Sequence, residues 1–259
     1  MGTKSEVNPG EDPQEDFKPE KPQTPSHFFI FHHEGAFADG EGIYKAYSWG
    51  KESTLVIDNK CVEELKPTFL LGVKLYDETL PQQEIFSNGL SRQQAVEVCA
   101  AQETVLKFNG GFFDEHSSSR NAMLYSEQEG EGVNLSSFNG KEALTCVESA
   151  ALVQQMLSGS QEMTYVSGAA DLHNSGQFEM HSFNLIKPAD DKYAAAILDI
   201  SNPIYFHEKD GDLKVKLYCA PITLEQLEKF KRGDALEVEY AGEKRTYQFK
   251  APQGPILIW

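Results

Sequence analysis

The chain reads as an α+β domain in which an antiparallel sheet packs against a helix that opens at Cys146. Three observations lead to this fold class. A helix is signalled over Ser91 to Lys107. A second helix start precedes the apolar run from Ala150 to Leu157. Downstream, β-prone segments joined by short turn-forming stretches continue almost to the C-terminus.

Taken in chain order, residues 1–25 hold five of the twelve prolines, six acidic residues and three lysines, with little large apolar surface. Such a segment cannot bury enough to offset its ordering entropy, so it is expected to be a disordered tail. Residues 26–259 are read as one domain, its core at about 90–206, with a C-terminal helix and hairpin over 207–259. Phe28 to Phe31, Ser53 to Ile57 and Thr68 to Tyr76 are strand-like by composition. Ser91 is the N-cap expected for the first helix, with Ala95, Val98, Cys99, Gln102 and Leu106 along one face. Asn109-Gly-Gly111 stops it. Phe112 to Asn139 reads as a long surface connection. Thr223-Leu-Glu-Gln226 is a capping box for a short helix ending near Gly233. Leu236 to Tyr240 and Thr246 to Lys250 read as a hairpin joined by residues 241–245.

Composition excludes several functions. A formal net charge of −17 disfavours nucleic acid and anionic membranes as partners, because both need clustered Lys and Arg. No apolar run approaches the roughly 20 residues of a membrane span, and the first 25 residues lack a secretory h-region. Cys61, Cys99, Cys146 and Cys219 are too sparse for a disulfide framework, so reduced thiols and a cytoplasmic location are expected. No Cys-x-x-Cys, His-Glu-x-x-His, phosphate loop or dinucleotide fingerprint occurs, and neither a metal nor a cofactor is implied.

The chemistry-bearing residues are Cys146, His181 and Asp199. Thr145 and Glu148 satisfy the capping-box pattern around the cysteine, which makes Cys146 the first helical residue. Unsatisfied backbone N–H groups and the positive end of the helix dipole there favour the nucleophilic thiolate form. Phe178 to Lys187 and Tyr193 to Ser201 are β-prone, with turn composition between them. If Lys187 faces Tyr193 across that turn, His181 lies directly opposite Asp199 on one face of the ladder. A carboxylate in that position fixes the tautomer of the imidazole and leaves its other nitrogen for the thiol. Asp199 stands in so apolar a strand that an unpaired carboxylate would be costly.

Cys146-Val-Glu-Ser-Ala-Ala-Leu-Val-Gln-Gln-Met-Leu157, Tyr165-Val-Ser-Gly168, His181-Ser-Phe-Asn-Leu-Ile186 and Ile197-Leu-Asp-Ile-Ser-Asn-Pro203 together resemble the core of the transglutaminase-like superfamily of Cys-His-Asp enzymes, related in arrangement to the papain-like proteases. The resemblance covers residues 140–206. It departs from the superfamily at Ser182-Phe183, where Ala-Trp is common, and it assigns no second oxyanion donor. Arylamine N-acetyltransferases share the residue order, but their usual Arg-Gly-Gly is replaced here by Lys141-Glu-Ala-Leu-Thr145.

What the resemblance implies is a Cys146, His181, Asp199 triad that transfers acyl groups from amide bonds. With water as acceptor it would be a protease-like or amidase-like hydrolase, acting on a protein, a peptide or a small amide. With an amine as acceptor it would cross-link or acetylate. The alternative from another class is a binding module that has kept the fold without the activity.

Overall fold

A computed structural model of the chain describes residues 30–31, 42–48, 51–57, 59–108, 133–134, 144–157, 159–207 and 213–248. The N-terminal tail over 1–25 lies outside the described residues, as does most of the connection over 112–139. Within that connection, Val133–Asn134 forms a short strand instead of belonging wholly to a loop.

The described residues form an α+β fold. Strands are β1 (Ile30–Phe31), β2 (Gly42–Ser48), β3 (Lys51–Ile57), β4 (Val133–Asn134), β5 (Met163–Asp171), β6 (Glu179–Ile186), β7 (Ala195–His207), β8 (Leu213–Ile222), β9 (Ala235–Tyr240) and β10 (Glu243–Gln248). Helices are α1 (Asn59–Thr79), α2 (Arg92–Phe108), α3 (Cys146–Leu157) and α4 (Leu224–Lys231). The main sheet is antiparallel in the order β8-β7-β6-β5-β10-β9, and β1 also pairs with β5. A smaller sheet runs β2-β3-β4.

Alternation along the strands sorts the apolar side chains into two cores. On one face, Ile186 of β6 and Ala196, Leu198 and Ile200 of β7 join α1, α2, α3 and β3. On the other face, Phe183 and Leu185 of β6 and Ala195 and Ile197 of β7 meet Leu227 and Phe230 of α4. The sheet curls around this second core until its far strands meet. The Tyr218 hydroxyl of β8 donates to the Val238 carbonyl of β9 at 3.4 Å, and the Tyr218 and Tyr240 rings pack edge to face.

Local signals set the helix starts. The Ser91 hydroxyl accepts from the Gln94 N–H while the Gln94 side chain accepts from the Ser91 N–H. Thr223 and Gln226 make the same reciprocal pair before α4. The C-terminal hairpin is tighter than the five-residue connection expected. Ala241 and Gly242 alone make the turn, at φ 54° and 86°. Two successive positive φ values match the twist of a two-residue hairpin, which Gly242 adopts without strain.

Thr68 to Tyr76 is helical and not a strand, lying inside α1. Its apolar composition suits either state, and periodicity decides. Cys61, Leu65 and Phe69 recur every four residues and are buried, whereas Leu70 and Leu71 are exposed.

Candidate active site

Helix α3 begins at Cys146. The Thr145 N–H donates to the Glu148 carboxylate at 2.7 Å, the Thr145 hydroxyl contacts the same oxygen, and the first helical hydrogen bond runs from the Ser149 N–H to the Thr145 carbonyl. Glu148 is fully buried, so this clamp is shielded from water. The helix lies along β6. The Asn184 amide donates to the Ala150 carbonyl at 3.1 Å, and the Gln154 amide donates to the Met163 carbonyl of β5. One turn before Ala150, the half-buried Cys146 lies near enough to the His181 ring for the two to interact. Beneath them the Tyr165 hydroxyl bonds that of Ser182 at 3.1 Å.

His181 and Asp199 are brought together, but not by the register expected. Asn184 pairs with Leu198, Leu185 with Ile197 and Ile186 with Ala196, which displaces the β6–β7 ladder by two residues. The cause is the connection. Tyr193 N–H bonds Asp190 carbonyl in a closed turn and Ala194 N–H bonds Ile222 of β8, so Tyr193 is unavailable to face Lys187. A two-residue shift preserves the face, whereas a one-residue shift would reverse it. The residues are therefore diagonal neighbours, and the His181 Nε2 lies 2.8 Å from the Asp199 Oδ2. Nδ1 is left for the thiol.

Asp199 closes the regular part of the β7–β8 ladder, whose register shifts between Asp199 and Ile204. Pro203, which has no N–H to give a ladder, stands within this irregularity. The freed backbone serves the carboxylate instead. Oδ1 accepts from the Asn202 N–H and the Ser201 hydroxyl, each at 3.2 Å.

Two further residues, not singled out from the sequence, complete the site. Tyr247 of β10 donates its hydroxyl to Asp199 Oδ2 at 3.1 Å, and Arg245 Nη1 stands 3.6 Å from the same oxygen. Arg245 also donates to the Asn202 carbonyl at 2.6 Å and to the Glu243 carboxylate at 2.6 Å, with its guanidinium 3.8 Å above the Tyr218 ring. Both are buried. The signal that could have found them is an arginine two residues from a tyrosine, on what becomes the inward face of the hairpin.

The electrostatics follow from burial and this cluster. Burial opposes charge on His181, but the Asp199 charge and hydrogen bond, with Cys146, overcome it and push the imidazole up to about 10. Burial would likewise raise Asp199, yet His181 first, then Arg245 and Tyr247, hold its carboxyl below the ordinary carboxylate range. At neutral pH the pair is imidazolium and carboxylate. Burial, aided by the Glu103 charge, lifts Cys99 to about 11, and burial lifts Cys219 to about 12.

Chemically, a sulfur at a helix N-terminus beside a carboxylate-held imidazolium can act as a nucleophile with its proton carrier attached. No cluster of three or more metal-ligating side chains occurs among the described residues. Nor is any described helix long and apolar enough to cross a membrane. No protein-family model, curated protein or solved structure matches the chain.

Proposed function

We propose that the protein is a cysteine-dependent acyl-transfer enzyme with a transglutaminase-like core, and that it hydrolyses amide bonds in proteins, peptides or small amides. The observation that carries this reading is the chain of contacts Cys146 to His181 to Asp199, with Cys146 as the first residue of a helix.

The Cys146 sulfur adds to the carbonyl carbon as a thiolate. The oxyanion takes a hydrogen bond from the Cys146 backbone N–H, one of the helix-start donors with no intrahelical acceptor. The carbon–nitrogen bond then breaks, and His181 gives its proton to the departing amine. Neutral His181 next takes a proton from water, the resulting hydroxide equivalent adds to the thioester, and the acid leaves with the thiolate and imidazolium restored. An amine could replace water in the second half without changing the residues used. Hydrolysis is preferred because no described residue around Cys146 marks a dedicated amine site. A reducing compartment such as the cytoplasm suits the unpaired Cys99, Cys146 and Cys219.

The test is incubation of the full chain with a panel of peptides, with and without amine donors, read by mass spectrometry. Cleaved or deamidated peptides, absent with Cys146→Ala, are expected. Amine adducts alone would assign the transferase reading instead. Equal turnover by wild type and Cys146→Ala would dismiss the enzyme.

A further inference from the structure

We propose that Arg245, assisted by Tyr247 beside it on β10, is a positioning residue that keeps Asp199 an anion at the stage when His181 has given up its proton. The inference rests on the acyl-transfer reading and adds to it a part of the chain remote in sequence from the triad.

The geometry poses the problem. Asp199 is fully buried, and its nearest cation, His181, is charged for only part of an acyl-transfer cycle. Once the imidazole is neutral, a buried carboxylate without another cation takes up a proton. A carboxylic acid at Asp199 would then donate to Nε2, force the ring proton onto Nδ1 and deprive the thiol side of its base. The fault would be one of tautomer, not of position. Arg245 removes the difficulty because its charge does not titrate in the working range.

Each group facing Asp199 has a place in this scheme. His181 comes from β6 and also interacts with Cys146 of α3. Ser201 and Asn202 come from β7 itself, and Tyr218 from β8 lies under the guanidinium. Arg245 and Tyr247 come from β10, and Glu243 holds the far side of Arg245. Burial and the Asp199 charge keep the Tyr247 hydroxyl protonated, so it acts as a donor throughout. Arg245 is the one permanent cation facing Asp199 among the described residues. Its Nη1 also ties down the Asn202 carbonyl, next to the N–H that serves Oδ1.

The experiment compares alkylation of Cys146 by iodoacetate and by iodoacetamide in the full chain across pH 7–11, read per cysteine by mass spectrometry. An anionic reagent is favoured by a neighbouring imidazolium and a neutral one is not, so the rate ratio follows the charge on His181. In wild type the ratio falls as pH approaches about 10. In Arg245→Met, deprotonating His181 would strand a buried anion, so the fall moves up by about one pH unit or more. Arg245→Lys keeps the charge and leaves the fall within a few tenths of a unit. Tyr247→Phe retains the ring and moves it up by less, which keeps the test open should Arg245→Met not fold.

A purely structural role would give the opposite sign, because a loosened site admits water and returns His181 toward 6.5. A downward shift, or none, in folded variants overturns the proposal while the triad stands. A wild-type ratio indifferent both to pH and to Asp199→Asn overturns the triad and the proposal with it.

Discussion

His181 Nε2 and Asp199 Oδ2 meet at 2.8 Å across the β6–β7 ladder, with both side chains buried. The pair is diagonal in register, and the carboxylate is held on its other oxygen by Ser201 and Asn202. Asp199→Asn removes the charge while keeping the shape. Reactivity of Cys146 should fall by roughly 10²–10⁴-fold, as expected when an imidazole loses both its tautomer control and its counter-charge. Stability should fall by roughly 3–5 kcal/mol, measured by denaturant titration, because a buried pair loses one member.

The same pair gives stability a pH dependence with a definite sign. His181 is raised on folding, so its contribution is complete below 6.5 and disappears as pH rises to about 10. Asp199 is lowered on folding, so its contribution is present above 3.8 and is lost as pH falls through the depressed folded value. The stability difference between wild type and His181→Gln should therefore peak between 3.8 and 6.5. Urea melts at several pH values measure it, and a difference that grew from pH 7 to 10 would contradict the assignment.

Glu148 sets where α3 begins, through its bond to the Thr145 N–H. Glu148→Ala should destabilise the fold by about 1–2 kcal/mol, the size expected when a cap is lost. It should also slow Cys146 alkylation, because the sulfur is placed by the first helical turn. Glu148→Gln, which can still accept that bond, should recover most of both losses.

Gly168 pairs with His181, and a Cβ built on it would stand 3.0 Å from the Gln248 carbonyl of β10. β10 carries Arg245 and Tyr247. Gly168→Ala should therefore push that strand outward and cost about 1–3 kcal/mol by overpacking, visible as a lowered Tm.

How much of this was legible depends on how local each signal is. The helix starts at Ser91, Thr145 and Thr223 are written within four residues, and all three appear in the structure. The β6–β7 register was legible only in parity, because the turn at Tyr193 and the bond from Ala194 to β8 shift it by two residues. Thr68 to Tyr76 misled because composition spoke louder than spacing. For Arg245 and Tyr247 the chain offers only their two-residue spacing, which says nothing of the partner they meet. They reach Asp199 only because β10 pairs with β5 and the sheet curls, bringing together residues more than forty positions apart in the chain.

The most direct measurement is site-resolved alkylation of the folded full chain by iodoacetamide near neutral pH, for wild type and His181→Ala. A working Cys146–His181 pair predicts that Cys146 reacts well ahead of Cys61, Cys99 and Cys219, and that His181→Ala removes its lead. Four similarly slow cysteines, or a Cys146 rate unchanged by His181→Ala, would contradict it.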